Sequence, residues 1–343
     1  MKKIYVQEVD TLISPSHGQS KPMGVIASDG KEYLLKTQTV SIPGKGIFEE
    51  NASFAQEVIA YELSKELGIP TPNYAILEVE QEFLDNNRDY TFQHHIISPG
   101  LYFGSEYFPN NQSKIIENYQ LEEIYGLAHA SKKTTSLFNV SNKESYADII
   151  ALDCFLLNGD RFTNIGNLII DTLEKNIRKV YAIDFGHCFF SPFWNKEKKD
   201  LLEKLIRFPE KSDQFTEYFI NTFLLIGQKY YKSIGKIPSK HEKFGNVFSK
   251  MENYIYFDNN NPFSDIIQKI ENISTAKIEK ILYHVPDEWL IEGDYERKKY
   301  ISFLSLNKFN VRKAIELMYK LNAFRHSIGD ELKWPKEKII GIQ

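Results

Sequence analysis

Leu157-Asn158-Gly159-Asp160-Arg161-Phe162-Thr163-Asn164-Ile165-Gly166-Asn167-Leu168-Ile169-Ile170, with Val180-Tyr181-Ala182-Ile183-Asp184-Phe185-Gly186 a few residues on, is the stretch that decides the reading of this chain. Residues 168–170 and 180–183 are short apolar runs joined by a polar turn. Paired antiparallel, they place the entry of the first strand beside the exit of the second. Asn167 stands just before the first strand and Asp184 just after the second, so their side-chain oxygens converge at one end of the hairpin. An amide and a carboxylate so placed suit a hard cation. Asp160, in the preceding loop, reaches the same end.

One carboxylate and one amide on Mg²⁺, with a separate carboxylate orienting a hydroxyl, is the division of labour in phosphoryl transfer. Asp184-Phe185-Gly186 matches the metal-binding tripeptide of that chemistry. Alone it reads as a turn, as does Asn158-Gly159-Asp160; together, at the end of a hairpin, they point to a site. Asn164 competes with Asn167 for the amide role. Asn167 is preferred because the apolar strand begins directly after it.

Working back toward the N-terminus, residues 4–13, 23–27, 33–36, 74–79, 90–97 and 101–108 read as strands. Asp29-Gly30 between two apolar runs marks a hairpin. A helix is expected over 53–67, stopped by Gly68 and Pro70. Lys36 ends the strand after the hairpin, where a phosphate-pairing lysine belongs. Glu57 on the helix is the carboxylate to partner it. The loop of residues 14–20, containing Gly18 and Ser20, would bring backbone N–H groups over phosphates, although its single glycine matches the usual glycine-rich pattern poorly. Beyond about residue 110 helical periodicity takes over, at 121–130, 146–157, 201–208, 215–231 and 311–321. The expected fold is α+β and bilobal, protein-kinase-like, with a β-rich lobe over residues 1–109 and a larger helical lobe over 110–343.

The 343 residues include 24 Phe and 20 Tyr, with 42% hydrophobic residues, which is ample for a packed core and excludes disorder. A net charge of −4 supplies no global basic field for a nucleic acid, so any anion must meet a local site. Cys154 and Cys188 sit among apolar neighbours and read as reduced, buried thiols. The charged N-terminus is unlike a signal peptide, and no apolar run reaches the roughly 18 residues of a membrane span. A cytoplasmic protein that binds neither membrane nor nucleic acid is expected. The histidines have no zinc-like spacing.

These residues resemble the HipA-like kinases, in the shorter branch without the extra N-terminal subdomain of full-length HipA toxins. The resemblance runs through Gly18-x-Ser20-x-Pro22, Asp29-Gly30-x-x-Tyr33-x-x-Lys36, Glu57 and Leu67-Gly68-Ile69-Pro70-x-Pro72. It continues through Phe103-Gly104-Ser105, Asn158-x-Asp160-Arg161, Asn167-Leu168, Ile183-Asp184-Phe185-Gly186 and Val285-Pro286-Asp287-Glu288-Trp289. It implies transfer of the ATP γ-phosphate to Ser or Thr of a protein, with Asp160 as base, Asn167 and Asp184 as Mg²⁺ ligands and Lys36 on the α/β-phosphates. It also implies that residues Glu106 to Phe108 lie near the adenine-facing hinge, that Ser14, Ser16 and Ser20 are autophosphorylation candidates, and that a regulatory or antitoxin partner exists. Asn167 follows Asp160 by seven positions (167 − 160) rather than the roughly five of eukaryotic-type kinases, which leaves the choice between Asn164 and Asn167 open. The alternatives are a small-molecule or lipid kinase of the same fold, or a non-catalytic nucleotide-binding interaction module.

Overall fold

The computed structural model describes residues 4–13, 22–42, 44, 46–87, 97–111, 115, 118, 122, 128–174, 177–258 and 260–334. Five strands close into a barrel: β1 (Ile4–Val9), β2 (Met23–Ala27), β3 (Glu32–Leu35), β7 (Gly100–Glu106) and β6 (Tyr74–Val79), in that spatial order. All neighbours are antiparallel except β1 and β6, which pair in parallel. The β2–β3 turn is the expected one. Gly30 takes a φ of 77° there, and Tyr33 donates to Asp29 across it at 2.8 Å. Val25, Leu35, Leu77 and Val79 fill the barrel with Tyr33 and Phe83. The strand expected at 90–97 lies almost wholly outside the described residues, and Ile97 is not in a strand.

A hairpin that the pattern does not reveal, β4 (Thr39–Ile42) and β5 (Gly46–Glu49), stands between β3 and helix α1 (Ser53–Leu67). Two short helical runs flank the barrel's last crossing and the start of the helical region: α2 (Gln81–Asn86) and α3 (Ala128–Leu137). Helix α1 has the expected limits, and Gly68 caps it in the left-handed conformation with a φ of 76°. It is buried on nearly every side, including Gln56 and Glu57. An all-round buried helix belongs in the middle of a core rather than on its surface.

That core is the larger of two among the described residues. It joins α1 to α4 (Ser145–Leu156), to the hairpin β8 (Leu168–Glu174) and β9 (Ile177–Ala182), and to the helices that follow. These are α5 (Lys196–Arg207), α6 (Ser212–Ser233), α7 (Asn246–Glu252), α8 (Ser264–Asn272), α9 (Thr275–Leu282), α10 (Asp294–Asn307) and α11 (Asn310–Lys320). Helix α1 packs on α8, α9 and β7. Phe54 at its start meets Trp289 at 5.0 Å between ring centroids, while the Trp289 indole donates to the Leu101 carbonyl at 3.4 Å. The motif at 285–289 thus fastens the barrel's last strand and α1 to the helical core. Pro70 accepts from the Ala182 amide at 2.9 Å, tying the segment after α1 to the end of β9. Cys154 and Cys188 are free and buried. Among the described residues, no helix is long and apolar enough to cross a membrane.

Candidate active site

The β8–β9 hairpin forms as the sequence leads one to expect, with Leu168 opposite Ala182 and Ile170 opposite Val180. At its open end the Ile183 amide donates to the Asn167 carbonyl at 3.1 Å. Arg161 gathers this end. Its Nη1 donates to the carbonyls of Asn167 and, at 2.7 Å, Ile183, and its Nε reaches both oxygens of Asp153 at 3.1 and 3.0 Å. Neither side chain of the Arg161–Asp153 pair touches solvent. The guanidinium also lies 4.6 Å from the centroid of the Phe185 ring. Burial pushes the Asp153 carboxyl up to about 6, even against Arg161 beside it. Asp153 escapes the reading of the loop because it sits on α4, yet a lone carboxylate in Ile149-Ile150-Ala151-Leu152-Asp153-Cys154-Phe155-Leu156 is itself a signal of a buried partner.

Asp160 opens a 3₁₀ turn over Asp160–Phe162. Its Oδ2 accepts from Asn167 Nδ2 at 2.7 Å and from Asn164 Nδ2 at 3.5 Å. Among the described residues nothing donates to its other oxygen. The two asparagines differ sharply in setting. Asn164 is exposed, and its oxygen already caps the next turn by accepting from the Gly166 amide at 3.0 Å. Asn167 is buried, and its Oδ1 has no hydrogen-bond partner. A buried acceptor left unpaired is costly, of order 1–3 kcal/mol, unless something fills the position.

Lys36, at the end of β3, places its Nζ 2.6 Å from Glu57 Oε1 and 3.1 Å from Asp184 Oδ1. Glu57 has 1% side-chain exposure and also accepts from the Phe185 and Gly186 amides at 3.1 and 3.2 Å. A Cβ at Gly186 would come within 3.2 Å of the Ser53 Cβ, tighter than ordinary packing, so glycine lets the segment lie close against the start of α1. Burial opposes the Lys36 charge, but Asp184 and Glu57 hold its pKa well above the ordinary lysine range. Partial burial likewise opposes the charge of Asp184; Lys36, then His187 and Arg161, hold its carboxyl below the usual range. Asp184 itself has a φ of 58°, and Phe189, Phe190 and Leu157, whose carbonyl accepts from the Phe190 amide at 3.2 Å, also have positive φ. Backbone held this way costs about 1–3 kcal/mol per residue and gathers at working sites.

The structure therefore brings Lys36, Glu57 and Asp184 into one chain of contacts and Asp160, Asn167 and Asn164 into another, joined through Arg161. Glu106 is engaged elsewhere, with Lys31 at 3.1 Å and Asn73 at 2.5 Å on the barrel. The Phe108 ring packs on Tyr181 of β9, 4.8 Å between centroids. Gly18 and Ser20, with Ser14 and Ser16, lie outside the described residues. Among the described residues no three His, Cys, Asp or Glu side chains cluster as a metal site. An Asn–Asp pair still fits Mg²⁺, which takes one or two protein ligands and fills its octahedron with phosphate oxygens and water. The unpaired Asn167 Oδ1 is the observation that supports this fit.

His187 directly follows the Asp-Phe-Gly, where the sequence allows a hydrogen bond within that loop; the structure sets it instead against Glu50, before α1. It lies 3.6 Å from Glu50, and burial alone would lower its pKa. The neighbouring carboxylate of Glu50 and the charges of Asp160 and Asp184 outweigh burial and raise it from the ordinary 6.5 to about 9. The folded state then holds a proton that the unfolded state gives up, so the stabilisation is complete below pH 6.5 and disappears as pH rises through about 9. Urea melts of His187→Gln between pH 6.5 and 9 should show a flatter decline than the parent protein; parallel curves would refute the assignment. Asp153→Asn, which strands the buried Arg161 charge, should cost about 3–5 kcal/mol in the same melts. A loss below about 1 kcal/mol would show the pair to be dispensable.

Residues 9–207 match the HipA-like kinase family. The chain is also similar to a crystal structure of a Helicobacter pylori proinflammatory kinase, CtkA, with 13% identity and a TM-score of 0.48, over 90% of this chain and 96% of that one. No curated protein matches. The family match spans more than half the chain and contains the lysine, the helix glutamate, the Asp160–Asn167 turn and the Asp-Phe-Gly end of the hairpin: the chain belongs to the HipA-like kinase family.

Proposed function

We propose that this kinase transfers the γ-phosphate of ATP, with Mg²⁺, to a Ser or Thr hydroxyl of a protein. The observation that carries the reading is the placement of Lys36 between Glu57 and Asp184, with the Asp160–Asn167 pair held at the same hairpin end by Arg161. Lys36 would grip the α/β-phosphates, kept charged and oriented by Glu57. Asn167 Oδ1 and the Asp184 carboxylate would hold Mg²⁺, which when bound neutralises charge on the phosphate oxygens. Asp160, steadied on Oδ2 by Asn167, would use Oδ1 to orient the acceptor hydroxyl and take its proton. Phe108, packed on Tyr181, borders the nucleotide in this reading. Glu106 would contribute through its place at the end of β7 rather than through its occupied side chain.

The same reading makes residues 1–109 and 110–343 the two lobes of one bilobal catalytic unit, with the nucleotide between them. Membership of the HipA-like family supports a protein acceptor in this reading, and a regulatory or antitoxin partner is part of the same proposal. Two buried free thiols accord with a cytoplasmic setting. Incubation with γ-labelled ATP and Mg²⁺ should give labelled phosphoserine or phosphothreonine. Asp160→Ala and Asp184→Ala should each reduce the rate by about 10²–10⁴. Equal turnover in all three proteins would overturn the mechanism, and label appearing only in a small molecule or lipid would reassign the acceptor.

A further inference from the structure

The segment after Asp184 is held at both ends by two consecutive residues of α1. Glu57 accepts the Phe185 and Gly186 amides, and Gln56 Nε2 donates to the Ser191 carbonyl at 3.0 Å. The same Ser191 oxygen accepts from Lys198 Nζ on α5. A carbonyl oxygen has two lone pairs, and here both are used. Lys198 is 2% exposed, with its ammonium 6.0 Å from the Phe189 ring centroid. Beside this node the Ala52 amide donates to the Pro192 carbonyl at 2.9 Å and the Trp194 amide to Asn51 Oδ1 at 2.8 Å. Between the two anchored ends lie Phe189 and Phe190, with φ of 55° and 62°.

We infer that Lys198 and Gln56 are positioning residues for phosphoryl transfer, acting through the Ser191 carbonyl to hold the 184–191 segment in register with Glu57. A segment with three residues at positive φ does not keep such a conformation by its own preference, so it needs an anchor at each end. Glu57 anchors one end and also holds Lys36. The Ser191 node anchors the other and sets the height of α1 against α5. Burial pushes Lys198 down to about 7 against the charge of Glu296, so the chain keeps a lysine at a depth where it is unfavourable. A buried lysine with one backbone partner, in a segment adjoining the site, is explained by what it holds. In the sequence it hides in Lys196-Glu197-Lys198-Lys199-Asp200, which reads as a solvated helix face.

The role in catalysis rests on the kinase reading above, and the test separates the two. Hydrogen exchange of the full chain is followed in the parent, Lys198→Met, Gln56→Met and the exposed control Lys196→Met, alongside steady-state kinetics and circular dichroism. Gln56→Met keeps the side-chain volume and serves if Lys198→Met fails to fold. Expected is exchange faster by about tenfold at residues 184–191 in both node variants, with the α10 and α11 amides unchanged. With it, kcat falls about tenfold, KM for ATP moves less than about twofold, and the Mg²⁺ concentration for half-maximal rate rises. The control should match the parent. Unchanged exchange at 184–191 in a folded node variant, exchange raised uniformly over the chain, or faster local exchange with kcat intact would each overturn the inference. A parent protein that turns over no ATP would instead defeat the kinase reading, while the exchange data still decide whether the node holds the segment.

Discussion

The Glu57 carboxylate is the point on which this structure depends. It has almost no contact with water, yet it must be accommodated between a lysine from the barrel and two amides from the end of the β8–β9 hairpin. A carboxylate at that depth is tolerable only if all of those partners are in place at once. The three parts of the chain that supply them, β3, α1 and the Asp184 segment, are therefore ordered together. Burial pushes the Glu57 carboxyl upward while Lys36 and the Phe185 amide oppose it, so the balance fails if any one partner is withdrawn.

Arg161 does for the hairpin what Glu57 does for the helix. With Asp153 absorbing its charge on the Nε side, its Nη1 collects the carbonyls at the two strand ends. Asn167 is left with its amide nitrogen on Asp160 and its oxygen unspent. The two buried ionic centres are thus complementary: in the proposed mechanism one would orient the phosphate grip, the other the base and the candidate metal amide. An overall charge of −4 is no obstacle to binding a polyanion when the relevant cations are placed this way.

Much of this was legible in the residues. The limits of α1 and β6, the left-handed Gly68 and the β8–β9 pairing follow from pattern and stop signals, and they locate Lys36, Glu57, Asp160, Asn167 and Asp184. The hairpin β4–β5 was not legible because it is peripheral: every residue of β5 is exposed, including Ile47 and Phe48, so no buried face imposes an alternation. Helix α10 was missed for the opposite reason. Its inward face includes Glu296, Arg297 and Asn307 among Tyr300, Phe303 and Leu304, and a hydrophobic period cannot register polar residues in a core. Helix α5 begins a turn earlier than its apolar residues suggest, because Asn195 caps it and Lys198 points inward. Asp153, Gln56 and Lys198 share that difficulty, since their roles depend on partners distant in the chain.

The central claim is that this hairpin end, through Asn167 and Asp184, binds the metal that accompanies ATP. Titration calorimetry of ATP with and without Mg²⁺, on the parent, Asn167→Ala and Asn164→Ala, tests it most directly. Mg²⁺ should tighten ATP binding to the parent and to Asn164→Ala, and this tightening should be lost in Asn167→Ala. Tightening that survives in Asn167→Ala and disappears in Asn164→Ala would contradict the claim.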